Sequence, residues 1–172
     1  MEIGSKEFPL DDSRCVTFRP VNAEDEPFLV AVYASTRAEE LALTNWDQPQ
    51  RDAFTKMQFS SQQSHYQEHY LGGEHYVILV NSHEAGRLYV AEIEKEVRIL
   101  DITMLPQHRN SGIGTPIIRE LMTEAATLGK PLRIFVESFN RSLGLFEGLG
   151  FVKAEEHGYS YLMEWRANDE PA

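Results

Sequence analysis

The sequence predicts a mixed α/β domain of the α+β kind: a mostly antiparallel sheet with one central parallel strand pair and helices on both faces. Three observations carry that prediction. After Gly73 the apolar residues alternate with a period of two through three consecutive segments, the pattern of half-buried strands in a meander. Over residues 112–128 the period becomes helical, with Ile113, Ile117, Leu121, Ala125 and Leu128 three or four residues apart and Gly129 and Pro131 as a stop signal. The nearly all-apolar run 132–136 follows, and strand, helix, strand in that order implies a parallel pair joined by a right-handed crossover.

The elements can be justified in chain order. Residues 1–14 mix charge with Pro9 and show no periodicity, so residues 1–15 are expected to be a loose leader, 16–166 the folded domain and 167–172 a tail. A short strand over 16–19 is closed by Pro20. Asn22 then caps a helix whose first turn holds Glu24, Asp25 and Glu26, where carboxylates suit the positive end of the helix dipole, and whose buried stripe is Phe28, Val32 and Tyr33. A second helix is predicted over 50–70, rich in Gln, Ser and His, with Phe54, Met57 and Tyr66 at helical spacing and Gly72 and Gly73 at its end. The meander follows as strands over 75–81, 87–94 and 96–105, with a hairpin turn over 81–86. Beyond the crossover come a short helix over 143–149 and strands near Phe151 and over 159–165.

Composition narrows the function classes. The 172 residues are 42% hydrophobic, which suits one substantial core. A net charge of −11 argues against a sequence-independent grip on nucleic acid, which depends on neutralising many phosphates. Cys15 is alone and cannot form an internal disulfide, and the first residues lack the basic start and apolar run of a secretory signal, so a cytoplasmic location is expected. Apolar runs such as residues 29–34 fall far short of the ~20 residues that cross a bilayer, so no membrane span is expected. Charge is uneven: residues 98–153 hold seven cations against five anions, a mildly positive segment in an acidic chain. Such a segment suits an anionic ligand, while acidic surroundings suit a cationic one; ordinary solvated surface charge gives the same count.

The segment Arg109, Asn110, Ser111, Gly112, Ile113, Gly114, Thr115 lies between the end of a strand and the start of the strongest helix. Glycines let backbone N–H groups approach a ligand closely, and a helix N-terminus adds unpaired donors, so a pyrophosphate is a natural guest. The third glycine of the dinucleotide fingerprint and the Gly-Lys-Ser/Thr of a P-loop are both missing, so neither of those sites fits. Taken together, Ile102-Thr103-Met104, Pro106, Arg109-x-x-Gly112-x-Gly114, Asn140 and Phe146-Glu147-Gly148-Leu149-Gly150-Phe151 resemble the GCN5-related N-acetyltransferase (GNAT) family, over about residues 16–166.

The resemblance implies that the strand ending at Met104 splays from the 132–136 strand and opens a cofactor cleft. It implies acetyl-CoA as co-substrate, held by Ile102, Thr103 and Met104 along the pantetheine, by Arg109, Asn110, Ser111, Gly112, Ile113, Gly114 and Thr115 around the pyrophosphate, and by Asn140 and Phe146. It further implies that a deprotonated amine attacks the thioester directly, with a backbone N–H near Met104 stabilising the oxyanion. The acceptor would be a small-molecule or protein amine, and a homodimer is an assembly open to the chain.

The sequence departs from the family pattern at Phe146, which stands where a tyrosine commonly protonates the leaving thiolate, and Asn140 is one residue closer to that position than usual. Tyr159 or Tyr161 could substitute, or water. Straight strand alternation puts Arg98 and Leu100 on the face of Ile102 and Met104, where family bases tend to lie, and puts Asp101 on the opposite face in a salt bridge or hydrogen bond. Glu137 is the candidate base, acting through water, and a water chain alone is the alternative. Glu39, Glu40 and Trp46 could receive a cationic amine, or form a solvated helix end beside a core Trp46.

Two rival motifs are weaker. His65-x-x-Glu68-His69 matches a zinc signature, but its helix is polar and no third ligand is identifiable, so no metal is expected. Gly148-Leu149-Gly150-Phe151 spells a carboxylate-binding loop of PDZ type, but only 21 residues follow it. A catalytically weak acyl-CoA-binding or regulatory module on the same fold remains the alternative to an enzyme.

Overall fold

The computed structural model describes residues 1–167. Its eight-stranded sheet runs in the order β1-β2-β3-β4-β5-β6-β8-β7. The strands are β1 (Phe8–Pro9), β2 (Cys15–Pro20), β3 (Glu74–Val80), β4 (His83–Glu92), β5 (Val97–Met104), β6 (Leu132–Glu137), β7 (Val152–His157) and β8 (Ser160–Trp165). The helices are α1 (Glu26–Ala42), α2 (Gln48–His69), α3 (Gly114–Thr127) and α4 (Ser142–Gly148). All neighbouring strands are antiparallel except β5 and β6, which are parallel as the crossover through α3 requires.

Helices cover both faces. On one, Ile117, Ile118 and Leu121 of α3 and Phe146 of α4 pack on Leu88, Val90, Ile99, Ile134 and Met163 in the main core. On the other, Leu29 and Tyr33 of α1 pack with Phe59 of α2 in a smaller cluster. Both helices start as capping chemistry directs. Asn22 and Asp25 form a reciprocal capping box around a short 3₁₀ turn that leads into α1, and Asp47 and Gln50 do the same for α2. On α2, Phe59 points inward and Met57 is exposed, so the expected stripe is rotated: Met57 was read as inward from spacing alone.

Two further expectations are corrected. Residues 1–15 are not loose: Ile3 is fully buried, Phe8 packs edge-on against Phe18, and β1 pairs with β2. Strand β1 is only two residues long and Ile3 joins a core made of elements distant in sequence, so no local period announces them. The β3–β4 turn is not spread over 81–86 but is a tight turn at Asn81 and Ser82, both with positive φ, and β4 already begins at His83. The expected tail lies outside the described residues apart from Ala167. Among the described residues, no helix is long and apolar enough to cross a membrane.

Candidate active site

The sheet opens at its parallel pair. β5 and β6 are paired only from Val97 with Leu132 to Ile99 with Ile134, although β5 continues to Met104 and β6 to Glu137. Past Ile99, β5 keeps β4 on one side as far as Met104 opposite Gly86, and among the described residues it has no strand on the other. A strand edge carries polar backbone groups that need partners, so this stretch can pair with an extended ligand. At Gly86 a Cβ would lie 2.4 Å from the Thr103 carbonyl oxygen, so only glycine allows β4 this close to the end of β5.

A β-bulge sets which side chains face the opening. Tyr89 pairs with Asp101 and Val90 with Ile99, leaving Leu100 as the extra residue, and its carbonyl accepts a hydrogen bond from the Tyr66 hydroxyl at 2.9 Å. The bulge overturns the parity expected from simple alternation. Ile99 shares a face with Ile102 and Met104, toward α3, while Arg98 shares the α1/α2 face with Asp101 and Thr103. Asp101 does make the expected polar contacts. Its carboxylate lies 3.3 Å from Arg87 Nη1 and accepts the Thr103 hydroxyl.

Arg87 is a residue that sequence reasoning missed, because a polar residue in an alternating strand reads as solvent-facing. It is only 1% exposed. Its Nε donates to His75 Nε2 at 2.9 Å, its other nitrogens donate to Gln62 and Gln63 of α2, and the guanidinium lies over the rings of Phe59, Tyr66 and Tyr89. Burial, then the Arg87 charge, pushes the His75 imidazole down to about 3, so it is neutral at pH 7. Burial, then Asp101, pushes the Tyr66 phenol well above its usual range.

The turn after β5 carries the expected phosphate-type geometry. Asn110 and Gly112 have φ of 55° and 81°, and among the described residues none of the backbone N–H groups of Ser111, Gly112, Ile113, Gly114 and Thr115 has a protein acceptor. No side chain caps α3. A Cβ on Gly114 would meet only Leu145, at 3.9 Å, so no contact within the protein requires glycine there. The Ile113 side chain is buried, leaving its backbone to the turn. Arg109 turns away from the turn: Nε donates to the Met104 carbonyl at 3.1 Å and Nη2 to the Ser35 hydroxyl at 3.1 Å, tying α1 to the end of β5.

The other end of the opening is formed by β6, α4 and the β7–β8 hairpin. Asn140 shapes this corner: its N–H donates to the Glu137 carbonyl and its Oδ1 accepts from Ser142 at the start of α4. Phe146 is a core residue, 2% exposed and edge-on to Phe151 at 5.2 Å, so its side chain is not presented to a ligand as expected; α4 turns that position inward. Glu137 is half-buried, 3.4 Å from Arg37 Nη1 of α1, and Arg37 also reaches Glu40. Helix α1 is therefore tied to both sides of the opening, through Ser35 and Arg37.

The Ser138 N–H donates to the Tyr159 carbonyl at 2.7 Å, which holds the hairpin against β6. Glu137 and Tyr159 thus line one cavity of about 350 Å³ with Phe139, His157 and Ser160. Tyr161, paired with Val136, points to the opposite face, where the Lys153 ammonium lies over its ring. Trp46 packs edge-on against Phe54 and is partly exposed. The rings of His65 and His69 lie 4.3 Å apart, and no group of three or more potential metal ligands forms among the described residues. A larger groove of about 550 Å³, lined by Arg119, Met122 and Trp165 among others, runs along α3 on residues outside the opening.

An acetyltransferase (GNAT) domain model matches residues 30–162. The chain belongs to this family. No curated protein is similar to it at a significant level. Among solved structures, the PaiA N-acetyltransferase of Thermoplasma acidophilum, in complex with coenzyme A, shares 16% identity at a TM-score of 0.67, covering 88% of this chain and 98% of that one. The Escherichia coli ribosomal-protein-S18-alanine N-acetyltransferase shares 18% at a TM-score of 0.59, over 88% and 93%. RimL, a ribosomal L7/L12 alpha-N-protein acetyltransferase in complex with coenzyme A, shares 18% at 0.59, over 94% and 98%. As a GNAT acetyltransferase the chain carries out acetyl-CoA-dependent acetyl transfer, and the parting of β5 from β6 is the GNAT feature that its geometry displays.

Proposed function

We propose that this GNAT domain moves the acetyl group of acetyl-CoA to a primary amine of a small molecule or protein by direct attack in a ternary complex. The observation that carries the reading is the opening itself: an unpaired edge of β5 beyond Ile99, with the free N–H groups of residues 111–115 at one end and the Glu137 cavity at the other. The fit to the co-substrate rests on those unsatisfied donors and on Gly114, whose lack of a side chain serves nothing inside the protein and leaves room for a phosphate. Ile102, Thr103 and Met104 would supply backbone pairing, and Arg109 would hold the turn in shape through Met104 and Ser35.

In the transfer, the amine nitrogen forms a bond to the thioester carbonyl carbon and the C–S bond breaks as the tetrahedral intermediate collapses. Glu137 takes the amine proton through water, and Tyr159, on the same cavity, returns a proton to the thiolate in place of the buried Phe146. The Arg37 contact holds Glu137 toward the α1 side of the opening. A second reading, a catalytically weak acyl-CoA-binding module, is favoured by one observation: no tyrosine hydroxyl stands at position 146.

Isothermal titration with acetyl-CoA, with CoA and ATP as controls, followed by a thiol-release assay over an amine panel, separates these readings. Micromolar binding of both CoA species with turnover on at least one amine is expected, and Glu137→Gln should lower kcat about 10²-fold at neutral pH with acetyl-CoA affinity unchanged. Binding without turnover would leave the module reading, and absence of binding would defeat both.

A further inference from the structure

We infer that the acceptor is a small monoamine carried on an aryl or alkyl stem, its ammonium received by Glu137 and its stem held between Phe139 and Tyr159. The inference rests on the reading of the chain as an amine acetyltransferase and adds the class of amine.

The cavity combines one carboxylate with a cluster of uncovered aromatic surface. Phe139 is 66% exposed and Tyr159 82% exposed, and the His157 ring stands edge-on to Phe135, itself partly exposed, at 5.4 Å. Single exposed apolar residues are ordinary, but three rings lining one opening, with Phe135 behind His157, mark a surface that binds something. The walls are also fixed in place. The Ser138 to Tyr159 backbone bond holds the hairpin, and the turn bearing Phe139 is closed by the Asn140 to Glu137 bond. Aromatic faces and a carboxylate together recognise a cation on an apolar body, the rings by their negative faces and the carboxylate by charge.

The same lining disfavours other amines. Among the described residues no Lys or Arg lines it, the nearby Arg37 is engaged by Glu137 and Glu40, and the one imidazole, His157, has Nε2 2.5 Å from a Glu155 carboxylate oxygen, so an acceptor bearing its own carboxylate meets no cation without a carboxylate partner. Among the described residues Glu137 is the only carboxylate in the lining, and the neighbouring Glu155 is taken up by His157, so the further ammonium groups of a polyamine meet no unengaged carboxylate there. A volume of about 350 Å³ accommodates one small molecule, at the lower end of ordinary ligand pockets.

The test is a comparison of kcat/KM for phenethylamine, phenylalanine and spermidine, with acetyl-CoA affinity measured separately. Phenethylamine should exceed the other two at least tenfold. Phe139→Ala, a change at an exposed position, should raise the phenethylamine KM at least tenfold and erase most of that preference, with melting temperature and acetyl-CoA affinity unchanged. Tyr159→Phe keeps the ring and should keep the preference even where the rate falls. Equal or better use of phenylalanine or spermidine, or an unaltered KM in Phe139→Ala, overturns the inference and leaves the acetyltransferase reading standing. Binding of acetyl-CoA with no acetylation of any amine overturns both.

Discussion

The two faces of the sheet are built by different physics. The α3/α4 face is apolar throughout its centre, with Ile117, Ile118 and Leu121 on Leu88, Ile99 and Ile134. The α1/α2 face places a buried arginine at its centre, joined to His75, Gln62, Gln63 and Asp101, with the Tyr66 hydroxyl on the Leu100 carbonyl beside it. Apolar packing is non-directional and loses stability in graded steps, whereas a buried polar network holds only while each member keeps its partner. The first face is suited to carrying a turn of fixed shape, and the second to fixing a few side chains beside the opening.

The largest expected effect lies on the polar face. Arg87→Met leaves Asp101 partly buried without its cation and should cost about 3–5 kcal/mol in urea unfolding, against about 0.5–1.5 kcal/mol for Ile117→Val on the other face. Adding Asp101→Leu should recover much of the loss; comparable losses at the two sites would erase the contrast between the faces. Next comes Gly114→Glu, which sets a carboxylate in the open turn at a backbone position any residue tolerates. Acetyl-CoA affinity should fall at least about 100-fold, or about 2.7 kcal/mol, while the melting temperature stays put. A parallel fall in stability would mean that the turn serves the core after all.

The smallest effect is a pH slope. His75 binds its proton less tightly folded, at about 3, than at its ordinary 6.5, so the unfolded state takes up more protons between those values and stability drops as pH falls through the window. Between pH 6 and 5 the slope should approach about 1.4 kcal/mol per pH unit, and His75→Gln, which keeps an acceptor for Arg87, should flatten it. An unchanged slope in that variant would place the acid sensitivity elsewhere.

The contrast between the faces also explains what could be read from the sequence. The helix over residues 112–128, the run 132–136 and the turn with its glycines were legible because apolar period and glycine placement are local signals, and those elements make the apolar face. Ile3 and Phe8 were not, since Ile3 joins a core of distant elements and the strand that holds Phe8 is two residues long, too short to show a period. Nothing in the local pattern marks Arg87 as buried, and Phe146 looked ligand-facing, because its place in a motif says nothing of which way a seven-residue helix turns. Glu137 and Tyr159 were each singled out for chemistry, but their meeting at one cavity depends on the hairpin lying back against β6. The bulge at Leu100 had no signature of its own, and it inverted the expected facing of Arg98.

That extra residue in β5 acts as a frameshift in the sheet. Drawing Leu100 into regular pairing would carry Arg98 onto the α3 side, or else carry Asp101 and Thr103 there, depending on which half of the strand slid, and the second slide would exchange an acidic, hydroxylic wall for Ile102 and Met104. A slip of one residue here therefore does what several simultaneous substitutions would be needed to do. The length of one strand, as well as the identity of its residues, decides which functional groups each face of the sheet presents.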